Sequence, residues 1–159
     1  MPATPTINPM PYATMEDFCQ VVDQDMNRLY LLAFLLTADR ERAVRCFISG
    51  LEGLMKGPPV FMKWARSWTR RAIIQQAVRT ISPRPPEKHS FLDFNSGGKA
   101  LAAVLELESF ERFVYVLSIL ERYSDQDCSF LLGCSPRHVT AARIRALQHV
   151  RSTVVEEVS

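Results

Sequence analysis

Arg137, His138, Thr140, Arg143 and Arg145 stand close together near the carboxyl end, with Arg151 six residues further on. They follow Ser135-Pro136, a favoured helix N-cap and a residue whose missing N–H costs nothing at the first helical position. Side chains in the first turns of such a helix reach base edges, and its free amides can meet a phosphate. Arginine there binds the O6 and N7 of guanine bidentately, for about 1 to 3 kcal/mol of discrimination, or simply neutralises phosphate. The chemistry on offer is recognition of nucleic acid, although an ordinary helical hairpin with a solvated basic face has the same spacing. The stretch 128–155 holds four arginines and no acid, and a second acid-free stretch, 57–80, holds Lys63, Arg66, Arg70, Arg71 and Arg79. In the second, Trp64 and Trp68 lie one helical turn apart. That spacing suits a stacking platform for single-stranded DNA, and equally suits core packing.

Nothing comparable points to catalysis. His89, His138 and His149 are scattered, there is no Gly-rich phosphate loop, and no Ser-His-Asp order lies in a recognisable context. An enzyme acting on a small-molecule substrate is therefore not expected. Cys19, Cys46, Cys128 and Cys134 lack CxxC spacing, which argues against a disulfide framework or a zinc site and suits a reducing cytosol. No metal or organic cofactor is implied. The chain has 159 residues, 47% of them apolar, and can bury a real core. No apolar run approaches the about 20 residues of a membrane-spanning helix. The proline-rich start, 1–12, lacks the basic and apolar regions of a secretory signal, so the expected location is cytoplasmic with no membrane partner. Nineteen Lys/Arg against seventeen Asp/Glu leave a net charge of +2. Two acid-free basic stretches inside a nearly neutral chain speak against indiscriminate coating of DNA.

The elements that must position these residues are helical. Thr14 with Asp17 three residues on marks an N-cap, and Phe18, Val22, Met26, Leu29, Leu32, Ala33 and Leu36 follow at three- and four-residue spacing. A second helix carries Ala43, Val44, Phe47, Ile48, Leu51, Leu54 and Met55 until Gly57-Pro58-Pro59 stops it. A third, from about Val60 to Ile81, is expected to turn Phe61, Trp64, Ala65, Trp68, Ala72, Ala77, Val78 and Ile81 inward. Ser82-Pro83-Arg84-Pro85-Pro86 ends it and opens a linker, 82–98, in which Phe91, Leu92 and Phe94 read as a small satellite cluster. Two more helices follow. Ser124 with Asp127 then starts a short helix that Gly133 ends, and a longer basic helix begins after Ser135, with Val139, Ala142, Ile144 or Ala146, Leu147 and Val150 inward. Helix, tight glycine turn and basic helix is the helix-turn-helix order. No period-2 strand pattern appears, so the expected fold is all-α: two small helical lobes, 12–81 and 99–157, joined by the Pro/Gly-containing linker.

The residues Leu107, Arg112, Val114, Leu117, Ser124, Asp127, Leu132-Gly133, Ser135, Val139, Arg145-Ala146 and Arg151 resemble, in order and spacing, the fourth region of bacterial sigma factors of the extracytoplasmic-function group. The resemblance implies a helix-turn-helix that reads the upstream promoter element, with Arg137, His138, Thr140, Arg143, Arg145 and Arg151 as DNA contacts. The first lobe is similar to the second sigma region, which binds the polymerase clamp and melts DNA. Trp64 and Arg70 fall on the family's tryptophan and arginine of the melting helix, with Arg66 and Arg71 beside them. Tyr30, Phe47 and Ile48 fall on the polymerase-binding helices. This lobe is divergent: Arg45, Ile48 and Ser49 stand where the family has Asp, Gln and Glu, and Arg71 and Gln75 replace its Asn and Asp. The resemblance implies core RNA polymerase and promoter DNA as partners, with an anti-sigma factor as a third. Three readings stay open: a promoter-opening initiation factor, an adaptor or antagonist of the same fold that binds polymerase or a regulatory partner without opening DNA, and a simple DNA-binding regulator that uses only the second lobe.

Overall fold

The computed structural model describes residues 11–86 and 100–156; Phe91, Leu92 and Phe94 lie outside them. Among the described residues the chain is all-helical apart from one isolated antiparallel bridge between Tyr12 and Phe61. The helices are α1 (Met15–Thr37), α2 (Arg40–Lys56), α3 (Ala65–Ile81), α4 (Ala100–Glu106), α5 (Ser109–Tyr115), α6 (Asp125–Leu132) and α7 (Pro136–Glu156). A 3-10 turn, Met62–Trp64, leads into α3, and a π-helical segment, Val116–Leu120, continues α5. No described helix is long and apolar enough to cross a membrane.

Local chemistry sets the boundaries. Thr14 Oγ accepts from the Asp17 N–H at 3.2 Å while Asp17 accepts from the Thr14 N–H at 2.7 Å, a reciprocal cap that satisfies two helix-end donors. Asp39 caps α2 by accepting from the Arg42 N–H at 2.8 Å. Between them Ala38 turns the chain with φ 54°, a left-handed conformation that closes α1 through a bond from its own N–H to the Phe34 carbonyl. Gly50 sits where α2 meets α3. A Cβ there would come within 3.2 Å of the Ile73 backbone, so glycine permits the close approach of the two helices.

The phase of α3 differs from the sequence expectation. Its buried side chains are Ala65, Thr69, Ile73, Ile74 and Ala77, whereas Trp64 and Trp68 are 45% and 41% exposed. Ala65 and Ala77 face inward as expected, but the small Thr69 rather than Trp68 completes the buried face against α1 and α2, and Trp64 ends the 3-10 turn before α3 begins. A similar correction applies to α7, where Ala146 is buried but Ile144 and Leu147 are exposed.

The main core cluster joins the two halves that the sequence separates. It holds Leu29, Leu32, Leu36, Cys46, Ile73 and Ile74 from the first half together with Phe110, Phe113, Leu117, Leu132, Val139 and Ala146 from the second. A smaller cluster of Phe18, Val21, Leu54, Val60 and Ala65 belongs to the first half alone. At the junction α5 packs on α1, and buried Arg112 reaches across. Its Nε and Nη2 donate to the Leu36 carbonyl at 3.3 and 3.2 Å, and its Nη1 donates to the Leu107 carbonyl at 2.9 Å. Both acceptors lie at helix C-termini, where carbonyls lack intrahelical partners and the helix dipole favours a cation. Burial lowers the Arg112 pKa from its ordinary value, the signature of a cation withdrawn from water.

Arg112→Ala should lower the unfolding free energy by about 2–4 kcal/mol, through the unsatisfied carbonyls and the space left behind. Urea titration measures it, and a loss below about 1 kcal/mol would contradict the tie. In the parent protein, tryptophan fluorescence, which reports only the first half, should follow the same transition as circular dichroism. Two separated transitions would show that the halves do not share a core.

Candidate nucleic-acid interface

The turn between α6 and α7 has three residues, Gly133, Cys134 and Ser135. Ser124 starts α6 by accepting from the Asp127 N–H at 3.1 Å. Gly133 ends it with φ 64° and ψ 40°, its N–H bonded to the Ser129 carbonyl, and the Cys134 N–H bonds the same carbonyl at 3.0 Å. Nothing would obstruct a Cβ at Gly133. The requirement for glycine is the left-handed dihedral alone. Ser135 Oγ then lies 3.0 Å from His138 Nδ1 and accepts from the His138 N–H at 3.4 Å, so the amino end of α7 is closed by its own cap.

Burial of Cys128 and Leu132 on α6 against Val139 and Ala142 on α7 brings the helices together, and an ion pair fixes their relation. Asp125, in the first turn of α6, accepts from both Nη atoms of Arg143, the Nη2 bond measuring 3.1 Å, and from Thr140 Oγ1 at 2.9 Å. The hydrogen bonds from Arg143, and more weakly Thr140, hold the Asp125 carboxyl below its ordinary pKa against the opposing effect of desolvation. Asp125 in turn raises the pKa of Arg143. Beneath them, burial pushes the Cys128 thiol up to about 11 and raises Cys134 as well. Neither is a thiolate at neutral pH.

The six proposed DNA contacts therefore divide. Arg137 and His138 are exposed together at the amino end of α7, and Arg151 is exposed about 21 Å along the axis, by 1.5 Å per residue. Thr140 and Arg143 are turned toward α6 and held by Asp125. Arg145 is half-buried, and its Nε donates to Glu111 of α5 at 2.6 Å. Asp125 and Glu111 were not legible as part of this surface, because neither spacing nor composition shows which acid a distant arginine will meet. No family model matches this chain, and no curated protein matches it.

In the first half, Trp64 packs edge-on against Phe61 at 5.3 Å between centroids, and Phe61 stacks on Tyr12 at 4.9 Å. Lys63 Nζ lies 4.8 Å from the centroid of the Trp64 ring. Bonds from the Ala13 N–H to the Val60 carbonyl and from the Met62 N–H to the Pro11 carbonyl strap the segment before α1 to this loop. Trp68 is exposed one turn further on. Arg66 pairs with Asp25 and donates to Gln24 Oε1 at 2.7 Å, and Arg70 Nη2 donates to Glu121 Oε1 at 2.6 Å. Arg71 is half-buried nearby. Of the residues expected to bind polymerase, Tyr30 stacks on Phe34 and is half-buried with Phe47 against the core, while Ile48 is exposed with Val44 and Met55 on the outer face of α2. Among the described residues, no three His, Cys, Asp or Glu side chains are grouped to hold a metal ion.

The sign of the Asp125 effect gives a test. A carboxyl whose folded pKa is depressed contributes stability above its ordinary value and loses it as pH falls through the lowered one. Urea titrations at a series of pH values should show the parent losing more stability than Asp125→Asn below about pH 4. Parallel curves would mean that the clamp does not act on folding.

Proposed function

We propose that this chain is a sigma-like transcription initiation factor, engaging core RNA polymerase through α1 and α2 and promoter DNA through α6 and α7. The observation that carries the reading is the short capped helix, the three-residue left-handed glycine turn, and the longer helix whose amino end exposes Arg137 and His138 side by side. A helix N-terminus with an arginine and a histidine suits both phosphate and base edges in the major groove. Buried Val139, Ala142 and Ala146 leave the opposite face of α7 outward, as a recognition helix needs. Thr140, Arg143 and Arg145 then act mainly by holding α7 at a fixed angle on α6 and α5, with Arg137, His138 and Arg151 reaching the DNA. Exposed Trp64 and Trp68, with cations beside them, suit contact with unstacked bases.

Two observations favour the second reading, an adaptor or antagonist of the same fold. The halves share a core across Arg112, which ties together the parts that would reach two promoter elements. The Val44, Ile48 and Met55 stripe on α2 is an apolar surface of the kind that marks protein partners.

Transcription in vitro with purified bacterial core polymerase separates the two. Promoter-dependent initiation is the expected result. Retention of polymerase in a pull-down without permanganate-reactive, melted promoter DNA would replace it with the adaptor reading. On duplex promoter DNA, Arg137→Ala should flatten the plot of log affinity against log salt by about 0.9, the amount expected when one phosphate is no longer neutralised. Arg143→Ala should change the slope less, because its charge is already matched by Asp125.

A further inference from the structure

Arg70 and Arg71 stand on α3 among the candidate single-strand contacts, yet the nearest acid to Arg70 comes from the other half of the molecule. Glu121 follows the π-helical segment, and its Oε1 accepts from Arg70 Nη2 at 2.6 Å; the carboxylate is mostly buried and the guanidinium partly exposed. Two backbone irregularities bracket this acid. Upstream, Ser118 Oγ donates to the Val114 carbonyl at 2.6 Å and the Glu121 N–H bonds the Val116 carbonyl five residues back. Downstream, Arg122 adopts φ 60°, a left-handed conformation uncommon outside glycine. Wide turns of this kind recur at functional sites, and non-glycine left-handed residues persist only where their surroundings impose them. Here both serve to set Glu121 against α3.

The same patch holds Tyr123. Burial first, and then the charge of Glu121, raise its phenol above the ordinary value, with Arg71 and Arg70 pulling the other way. Two cations, Arg70 and Arg71, two carboxylates, Glu121 and Asp127, and one phenol thus lie near one another where α6 meets α3.

We infer that Glu121 is an intramolecular mask: it occupies the Arg70 guanidinium in place of a nucleic-acid phosphate, so that single-stranded DNA engages α3 only by displacing an acid of the second half. The inference rests on the proposed DNA role of α3, and it adds a means of regulation to that surface. A carboxylate and a phosphate oxygen compete for the same guanidinium donors. The free protein would accordingly hold single strands weakly. A partner that engages Glu121 and draws its carboxylate off Arg70 would raise the affinity without touching DNA.

Full-length Glu121→Gln removes the competing charge and keeps the side-chain shape. Glu41→Gln is its control, since it changes net charge equally but breaks only the exposed pair with Arg45 within α2. With a fluorescein-labelled single-stranded oligonucleotide, Glu121→Gln should bind more tightly than parent or control and steepen the log affinity against log salt plot by about 0.7, the amount expected when one further phosphate is neutralised. The gain should vanish in Arg70→Ala/Glu121→Gln. Phenylglyoxal labelling read by peptide mass spectrometry supplies a second measurement that needs no DNA: Arg70 should label faster in Glu121→Gln, relative to Arg137 in the same molecule. Unchanged labelling would overturn the mask. Faster labelling with unaltered DNA binding would leave the ion pair standing and remove Arg70 from the DNA surface, a failure of the functional reading and not of the pairing.

Discussion

One guanidinium organises this molecule. Arg112 lies in the interior, and its acceptors in the structure are carbonyl oxygens at the ends of two helices rather than a carboxylate. A charge withdrawn from water is costly unless hydrogen bonds and favourable dipoles replace its hydration. The ends of α1 and α4 provide both. The constraint is reciprocal. Arg112 requires those two helix ends to converge, and they in turn require α5 to lie across α1, which continues the apolar core from one half into the other. The helix pair at the carboxyl end is held against this joint by α5, and so the exposed amino end of α7 has a defined place relative to α3.

Electrostatics on the surface follow a second pattern. The near-neutral total of the chain is repeated locally, because Arg66, Arg70, Arg143 and Arg145 each have a carboxylate from another element. Pairs whose guanidinium stays partly exposed contribute little to stability, about 0–1 kcal/mol each. Their effect is on orientation and on which cations remain available to an anionic partner. The acid-free stretches of sequence are basic in one dimension only, and folding brings acids to half of their arginines. Arg137 and Arg151 remain the exposed cations of α7.

What the sequence makes legible is local. The Thr14–Asp17 and Ser124–Asp127 caps, the Gly133 turn and the start of α7 at Pro136 all depend on residues within three or four positions of each other, and they occur as the spacing predicts. The burial of Val139, Ala142 and Ala146 follows from helical periodicity in the same way. Errors arise where helical spacing leaves two neighbouring positions to choose between, as at Trp68 and Thr69, of which only Thr69 is buried. They arise again where pairing spans a long distance in the chain. Helical periodicity gives no sign of the carbonyl partners of Arg112, since Leu36 is 76 positions away. Asp125, Glu111 and Glu121 join the candidate surface for the same reason unseen: an acid's partner is chosen by the fold, and helical spacing carries no information about it.

The shared core has a consequence for the polypeptide between Ile81 and Ala100. The halves meet through Arg112, through α5 on α1 and through α6 on α3, so their arrangement does not depend on a particular length of connecting chain. Lengthening a connection raises its closure entropy only slowly, by about 0.6 kcal/mol for each doubling. The two helical surfaces therefore keep their relation through the packing of α1, α3, α5 and α6 and not through the chain that connects them.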